Sequence, residues 1–220
     1  MIRCVIFDLD GTLLNTVTSI TYYVNKTLAA EGIAPISEED TKVFIGNGAK
    51  KLIERALRSR GIEDPQTVAR VIESYNGSYN SDPYYLTYPY SGITELVAIL
   101  KAEGYSIGVL SNKPETTLLP IVKYFFGDVF DSVRGGRDSE SLKPDPGSTL
   151  DMLREMGASP SELAFIGDTS VDILTAKNAG AALSVGVSWG FRGTEELRLS
   201  GADKIADTAE DVLSFIKGEL

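Results

Sequence analysis

Short continuous apolar runs recur along the chain at Ile2 to Phe7, Tyr105 to Leu110, Leu163 to Ile166 and Leu183 to Val187, with a weaker one near Val129 to Val133. Unbroken runs of that length suit strands of a parallel sheet, buried on both faces. Between them, Ile93 to Glu103, Glu115 to Phe125, Pro146 to Met156 and Val171 to Ala179 carry apolar residues at helical spacing, and Ala209 to Lys217 reads as a final amphipathic helix. Gly104, Gly157 and Gly180 close such segments, as C-caps do. Strands alternating with helices predict an α/β fold, a Rossmann-like parallel sheet covered on both faces.

One block breaks that rhythm. Residues 16–82 offer helices at Thr18 to Glu31, Ser37 to Phe44, Ala49 to Arg60 and Pro65 to Tyr79, with no convincing strand. The block reads as an all-helical domain inserted between the first and second strands, leaving 1–15 and 83–220 as the core. Tyr84, Tyr85, Tyr88 and Tyr90 are expected to pack where the two domains join.

Composition narrows the function classes. A hydrophobic fraction of 43% and a charged fraction of 24% are those of an ordinary globular chain, and the net charge of -10 repels nucleic acid and anionic membranes. A small phosphorylated metabolite would be repelled too, so it would need a local cation to bind. No stretch approaches the roughly 18 to 20 apolar residues of a membrane span. The N-terminal apolar run is too short for a signal peptide, so a cytoplasmic setting is expected. The single cysteine, Cys4, rules out an internal disulfide, and its apolar neighbours suggest a buried structural thiol. There is no histidine, which removes histidine metal sites, phosphohistidine and every Ser-His or Cys-His dyad. Gly186-Val187-Ser188-Trp189-Gly190 has the spacing of a nucleophile elbow, but with no base available it reads as a strand end and a turn.

Ligands of open parallel sheets bind beyond the carboxyl ends of the strands, where the strand order reverses. Asp8 and Asp10 follow the first predicted strand, Ser111 and Asn112 the second, and Asp168 the run at Leu163. Residues at i and i+2 leave a strand toward the same side, so Asp8 and Asp10 can address one centre. One carboxylate could attack phosphorus while the other moves a proton; alternatively the pair is an Asp-Gly turn with a helix-capping acid. Asp168 and Asp172 form a second acidic pair, and Asp8 with Asp168 would meet the oxygen-ligand needs of Mg2+. Asp172 also reads as a helix N-terminal acid. Lys143, fixed by Pro144, could balance phosphoryl oxygens, with Ser111 and Asn112 as neutral donors. The run Gly46-Asn47-Gly48 is either a turn between helices or a loop offering N–H groups to the far end of a substrate.

Taken together, Asp8-x-Asp10-Gly11-Thr12, Ser111, Lys143 and Gly167-Asp168-x-x-x-Asp172 resemble, in order, the four motifs of the haloacid dehalogenase superfamily. The resemblance spans nearly the whole chain and points to the branch with a small helical cap after the first strand. It implies an aspartyl-phosphate at Asp8, acid–base work by Asp10, and substrate contacts from Thr12, Ser111 and Lys143. It also implies Mg2+ held by Asp8, Asp168 and the backbone carbonyl of Asp10, with Asp172 nearby. Asp10 favours phosphatase or phosphomutase over dehalogenase. Ile45-Gly46-Asn47-Gly48-Ala49 and Tyr88-Pro89-Tyr90-Ser91-Gly92 resemble phosphoglycolate phosphatases. The reading is therefore a Mg2+-dependent phosphomonoester hydrolase, with 2-phosphoglycolate as the leading substrate. Sugar phosphates, nucleoside monophosphates, pyrophosphate and a mutase reaction are the alternatives; a non-enzymatic regulator would have lost its acids, which are all present. Asn15 departs from the aspartate that relatives commonly carry there.

Overall fold

The structure is a computed structural model that describes residues 1–137 and 141–219. The chain divides into two compact units, Met1–Asn15 with Pro89–Leu220, and Thr16–Tyr88. It passes from one to the other through two short strands, β2 (Leu14–Asn15) and β3 (Tyr88–Pro89), after β1 (Cys4–Phe7).

The helical unit holds α1 (Val17–Ala30), α2 (Glu38–Phe44), α3 (Gly48–Arg58) and α4 (Pro65–Ser81). α1 packs on α2 and α4, and α3 packs on the same two helices. The starts of two helices are written in the sequence. Ser37 and Asp40 form a reciprocal capping box at α2, and Asp64 accepts from Thr67 N ahead of a proline at the first position of α4. Tyr23 meets Tyr79 edge-on at 5.4 Å and donates its hydroxyl to Asp82 O at 2.8 Å, while Tyr22 packs on Tyr85 at 5.0 Å. These contacts draw residues 83–88 into the helical unit, so the division falls after Tyr88 and not after Asp82 as the sequence reading had it.

In the α/β unit the chain continues through α5 (Ile93–Ala102), β4 (Ser106–Pro114), α6 (Glu115–Phe126), β5 (Ser132–Gly136), α7 (Gly147–Glu155), β6 (Leu163–Gly167), α8 (Ser170–Ala179), β7 (Leu183–Val187), α9 (Thr194–Leu199), β8 (Lys204–Ala206) and α10 (Ala209–Lys217). The six-stranded sheet has the order β5-β4-β1-β6-β7-β8, and every pair is parallel. β1 lies between β4 and β6, with Cys4 level with Ser106 on one side and Leu163 on the other. On one face, Cys4, Ile6, Leu110, Leu163 and Phe165 pack against Met152 and Leu153 of α7 and Ala176 of α8. No helix among the described residues is long and apolar enough to cross a membrane.

Two strands depart from the pattern-based expectation. β5 begins at Ser132, later than the weak run near Val129, because it is an edge strand with mostly half-buried residues and little apolar signal. β4 runs on to Pro114, with an irregular register between Leu110 and Pro114, so Ser111 and Asn112 lie within the strand and do not follow it. α9 and β8 are short and were not anticipated.

Leu163 is fully buried where β6 meets the α7–α8 layer. Leu163→Ala should cost about 2–5 kcal/mol by lost transfer energy and residual cavity, read as a lower urea midpoint.

Candidate active site

Asp8 is the first residue beyond β1, and Asp8 N donates to Ile166 O at 2.9 Å, continuing the ladder with β6. Since the chain leaves β1 for β4 and β5 on one side and later crosses to β6 on the other, β1 marks the reversal of strand order. The crevice expected in such a sheet opens there. Asp8, Asp168 and Asp172 meet at this point, each offering a carboxylate oxygen within 4.8 Å of the others.

Lys143 joins them. Its Nζ stands 2.7 Å from Asp172 Oδ1 and 2.9 Å from Asp8 Oδ1. The Asp172 contact is a directed hydrogen bond, and Asp8 Oδ1 is held as a buried ion pair. The Lys143 backbone is clamped from β4: Asn112 Nδ2 donates to Lys143 O at 3.0 Å, and Lys143 N donates to Asn112 Oδ1 at 2.8 Å. Asn112 was expected to contact phosphoryl oxygens; its amide instead fixes the lysine. Ser111 is buried on the same strand, and its Oγ accepts from Lys113 N at 3.3 Å.

Asp172 uses its second oxygen as a helix cap. Oδ2 accepts from Thr169 N at 3.1 Å and Thr169 Oγ1 at 2.8 Å, the capping box that starts α8. The N-terminal acid read from the sequence is thus observed, and the same carboxylate lies in the acidic cluster with Asp8 and Asp168.

Asp168 is held by backbone. Its Oδ2 accepts from Phe191 N at 2.7 Å, and Thr12 Oγ1 donates to Oδ1 at 3.4 Å. Two glycines make room for it. A Cβ on Gly11 (φ +88°) would fall 2.3 Å from Asp168 Oδ2, and one on Gly190 would fall 2.2 Å from Asp168 Cβ. Thr12, expected at the substrate, is fully buried and turned toward Asp168. Trp189 Nε1 donates to Thr12 O at 3.1 Å, so the segment after β7 braces both the Asp8–Thr12 turn and Asp168. The sequence reading missed Trp189 and Phe191, having taken the glycine-bounded run as a bare turn.

It also missed Lys113, whose Nζ lies 3.1 Å from each oxygen of Asp10. The available signal was its position, next to Ser111 and Asn112 in the sequence. In the helical unit, Gly46 and Asn47 lie between α2 and α3, and Gly48 is the first residue of α3. Arg55 donates to Asn47 Oδ1 at 2.7 Å and to Phe44 O at 2.8 Å, so Asn47 is a brace of its own loop.

Four carboxylates, Asp8, Asp10, Asp168 and Asp172, thus face two ammonium groups, Lys113 and Lys143. The imbalance is visible in their protonation. Burial pushes the Asp8 carboxyl up to about 7, with Asp172 and Asp10 adding to the shift and Lys143 opposing it. Burial likewise holds Asp168 well above the usual carboxylate range, reinforced by Asp172 and Asp8. For Lys143 burial works downward, but Asp172 and Asp8 outweigh it and leave the ammonium firmly protonated. A divalent cation among these oxygens would cancel the excess negative charge, and a cluster of three carboxylates suits a hard cation.

In chelator-treated protein this excess charge should make stability fall as pH rises. Unfolded Asp8 ionises near its ordinary 3.8, whereas folded Asp8 keeps its proton to about 7, so the folded state binds more protons between those values. Urea midpoints should therefore decline between about pH 4 and pH 7, and added Mg2+ should flatten the decline.

Comparison with known proteins agrees with this architecture. The family model described as haloacid dehalogenase-like hydrolase matches residues 5–185. Phosphoglycolate phosphatase of Pectobacterium atrosepticum is 35% identical over 222 residues, covering 98% of this chain and 92% of its own. Phosphoglycolate phosphatase 1 of Pseudomonas aeruginosa is 34% identical over 216 residues, covering 93% and 78%. A crystal structure from Lactobacillus delbrueckii subsp. bulgaricus, provisionally named a phosphoglycolate phosphatase, superposes with a TM-score of 0.92 at 29% identity, covering 97% of this chain and 98% of that one. With its parallel sheet, its acids beyond β1 and β6 and a family match over most of its length, the chain belongs to the haloacid dehalogenase-like hydrolases.

Proposed function

We propose that the chain is a Mg2+-dependent phosphomonoester hydrolase that acts on 2-phosphoglycolate through an aspartyl-phosphate at Asp8. The observation that carries this reading is the state of Asp8. It is a buried carboxylate at the sheet's switch point, with Oδ1 ion-paired to the Lys143 ammonium at 2.9 Å and with Asp168 and Asp172 close enough to share a cation with it. An ammonium at that distance favours the ionised form that attack requires. The kinship with phosphoglycolate phosphatases supports the choice of substrate.

In the first half-reaction an Asp8 oxygen bonds to phosphorus while the phosphorus–ester oxygen bond breaks, and Asp10 gives its proton to the departing oxygen. In the second, Asp10 takes a proton from water, the water oxygen attacks phosphorus, and the bond to Asp8 breaks to release phosphate. Lys143 and Ser111 address the phosphoryl oxygens, and Asn112 keeps Lys143 in place. Asp8, Asp168 and the Asp10 carbonyl would hold Mg2+, which when bound neutralises the phosphoryl and carboxylate charge that otherwise repels the nucleophile. Asp172 anchors Lys143 and caps α8; both of its oxygens are engaged in these tasks, which favours an outer position relative to the metal.

The helical unit Thr16–Tyr88 would serve as the cap that screens substrates, with the backbone of Gly46 and Gly48 as its contacts and Arg55 holding their loop. A cytoplasmic setting suits the chain's one thiol: Cys4 is buried, and burial pushes it up to about 12, far from reactivity.

Asp8→Asn should abolish phosphate release from 2-phosphoglycolate, by about 10³-fold or more, because the nucleophile itself is lost. Turnover close to that of the parent would remove Asp8 from this role. Asp10→Asn should slow alkyl phosphates far more than p-nitrophenyl phosphate, whose leaving oxyanion needs no proton. Steady-state rates on the two substrate types provide the check, and equal losses would contradict the acid role.

A further inference from the structure

We propose that Lys113 is the receptor for the carboxylate of the substrate, so that selection for an anionic leaving group is built into the α/β unit. The inference rests on the phosphatase reading above and adds a residue outside the four motifs.

Lys113 lies on β4 two residues beyond Ser111, in the stretch where the strand's register is irregular. Its Nζ is 3.1 Å from both oxygens of Asp10, and its side chain is only 7% exposed. A desolvated ammonium distinguishes charged from neutral neighbours far better than a solvated one. Lys143, the other ammonium at this centre, is committed to Asp8 and Asp172.

Distances carry the rest. An ester oxygen receiving its proton from Asp10 sits roughly 2.7 Å from one Asp10 oxygen, which places it within about 6 Å of Nζ. In 2-phosphoglycolate one methylene separates that oxygen from the carboxyl carbon, so the carboxylate oxygens lie about 3 Å from it. The remaining gap to Nζ is about one hydrogen bond of roughly 2.8 Å. A phosphomonoester with a carboxylate on the ester carbon therefore fits, and one with a neutral group there leaves the ammonium without the additional ion pair. The net charge of -10 makes such a local cation necessary for any multiply anionic substrate.

The test is the ratio of kcat/KM for 2-phosphoglycolate to that for ethyl phosphate, with Mg2+ present. The parent protein should favour 2-phosphoglycolate. Lys113→Met should cut that ratio on the order of 10- to 100-fold, mainly through KM for 2-phosphoglycolate. Lys113→Arg, which keeps a cation, should retain most of the ratio, and Lys113→Gln should lose it; this pair answers the question if the methionine variant does not fold. A residue that only positions Asp10 would lower both substrates in parallel and leave the ratio intact, and that result would overturn the inference alone. A parent ratio near one would overturn both the inference and the choice of substrate, while an inactive parent would overturn the hydrolase reading itself.

Discussion

The active centre depends on one ammonium group. Lys143 Nζ sits between Asp8, just beyond β1, and Asp172, in the first turn of α8, while its backbone is gripped by Asn112 of β4. Three elements far apart in sequence are thereby pinned to a single residue. Burying an ion group is costly, and removing one partner of a buried pair leaves an uncompensated charge. The arrangement is therefore cooperative: the acids justify the lysine's burial, and the lysine lets at least one acid ionise beside its neighbours. With burial driving Asp8 and Asp168 toward their neutral forms, the unliganded protein stores a charge conflict that a bound cation would relieve. Under the proposed mechanism the attacking carboxylate must be ionised, so this relief would tie metal binding to activity.

Around that charge cluster the protein builds with backbone. Asp168 is wedged between Gly11 and Gly190 and receives the Phe191 N–H, and Trp189 reaches over to the Thr12 carbonyl. A side chain at either glycine would collide with the carboxylate. The run Gly186-Val187-Ser188-Trp189-Gly190 thus has a use different from the nucleophile elbow its spacing suggests. Ser188 is spent on Asp207 at 2.6 Å, and the loop's contribution comes from N–H groups and the absence of a Cβ.

Lys113 and Lys143 divide the work of an acidic protein that handles anions. One is sunk between Asp8 and Asp172, and the other is held against Asp10. The protein as a whole repels a phosphorylated substrate, so binding has to be won over a few ångströms, where low dielectric makes a single ammonium effective.

Much of this was legible from sequence. Apolar runs and helical spacing located the central strands and the long helices, because burial on both faces of a parallel sheet leaves a continuous hydrophobic signature. The missing histidine and the ordered acids, hydroxyl and lysine pointed to phosphoryl chemistry, because residue type limits what a site can do. Edge elements such as β5, α9 and β8 were blurred or missed, since half-exposed segments carry little apolar pattern. What only the tertiary structure decided is which polar group faces which. Asn112 turns to the Lys143 backbone, Thr12 to Asp168, Asn47 to Arg55, and Lys113 to Asp10. These partners lie up to 156 residues apart. Sequence alone determined the chemistry on offer, because that is a property of side chains taken singly. The fold decided how each group is used, because hydrogen bonds and ion pairs act over about 3 Å in space, with no regard to separation along the chain.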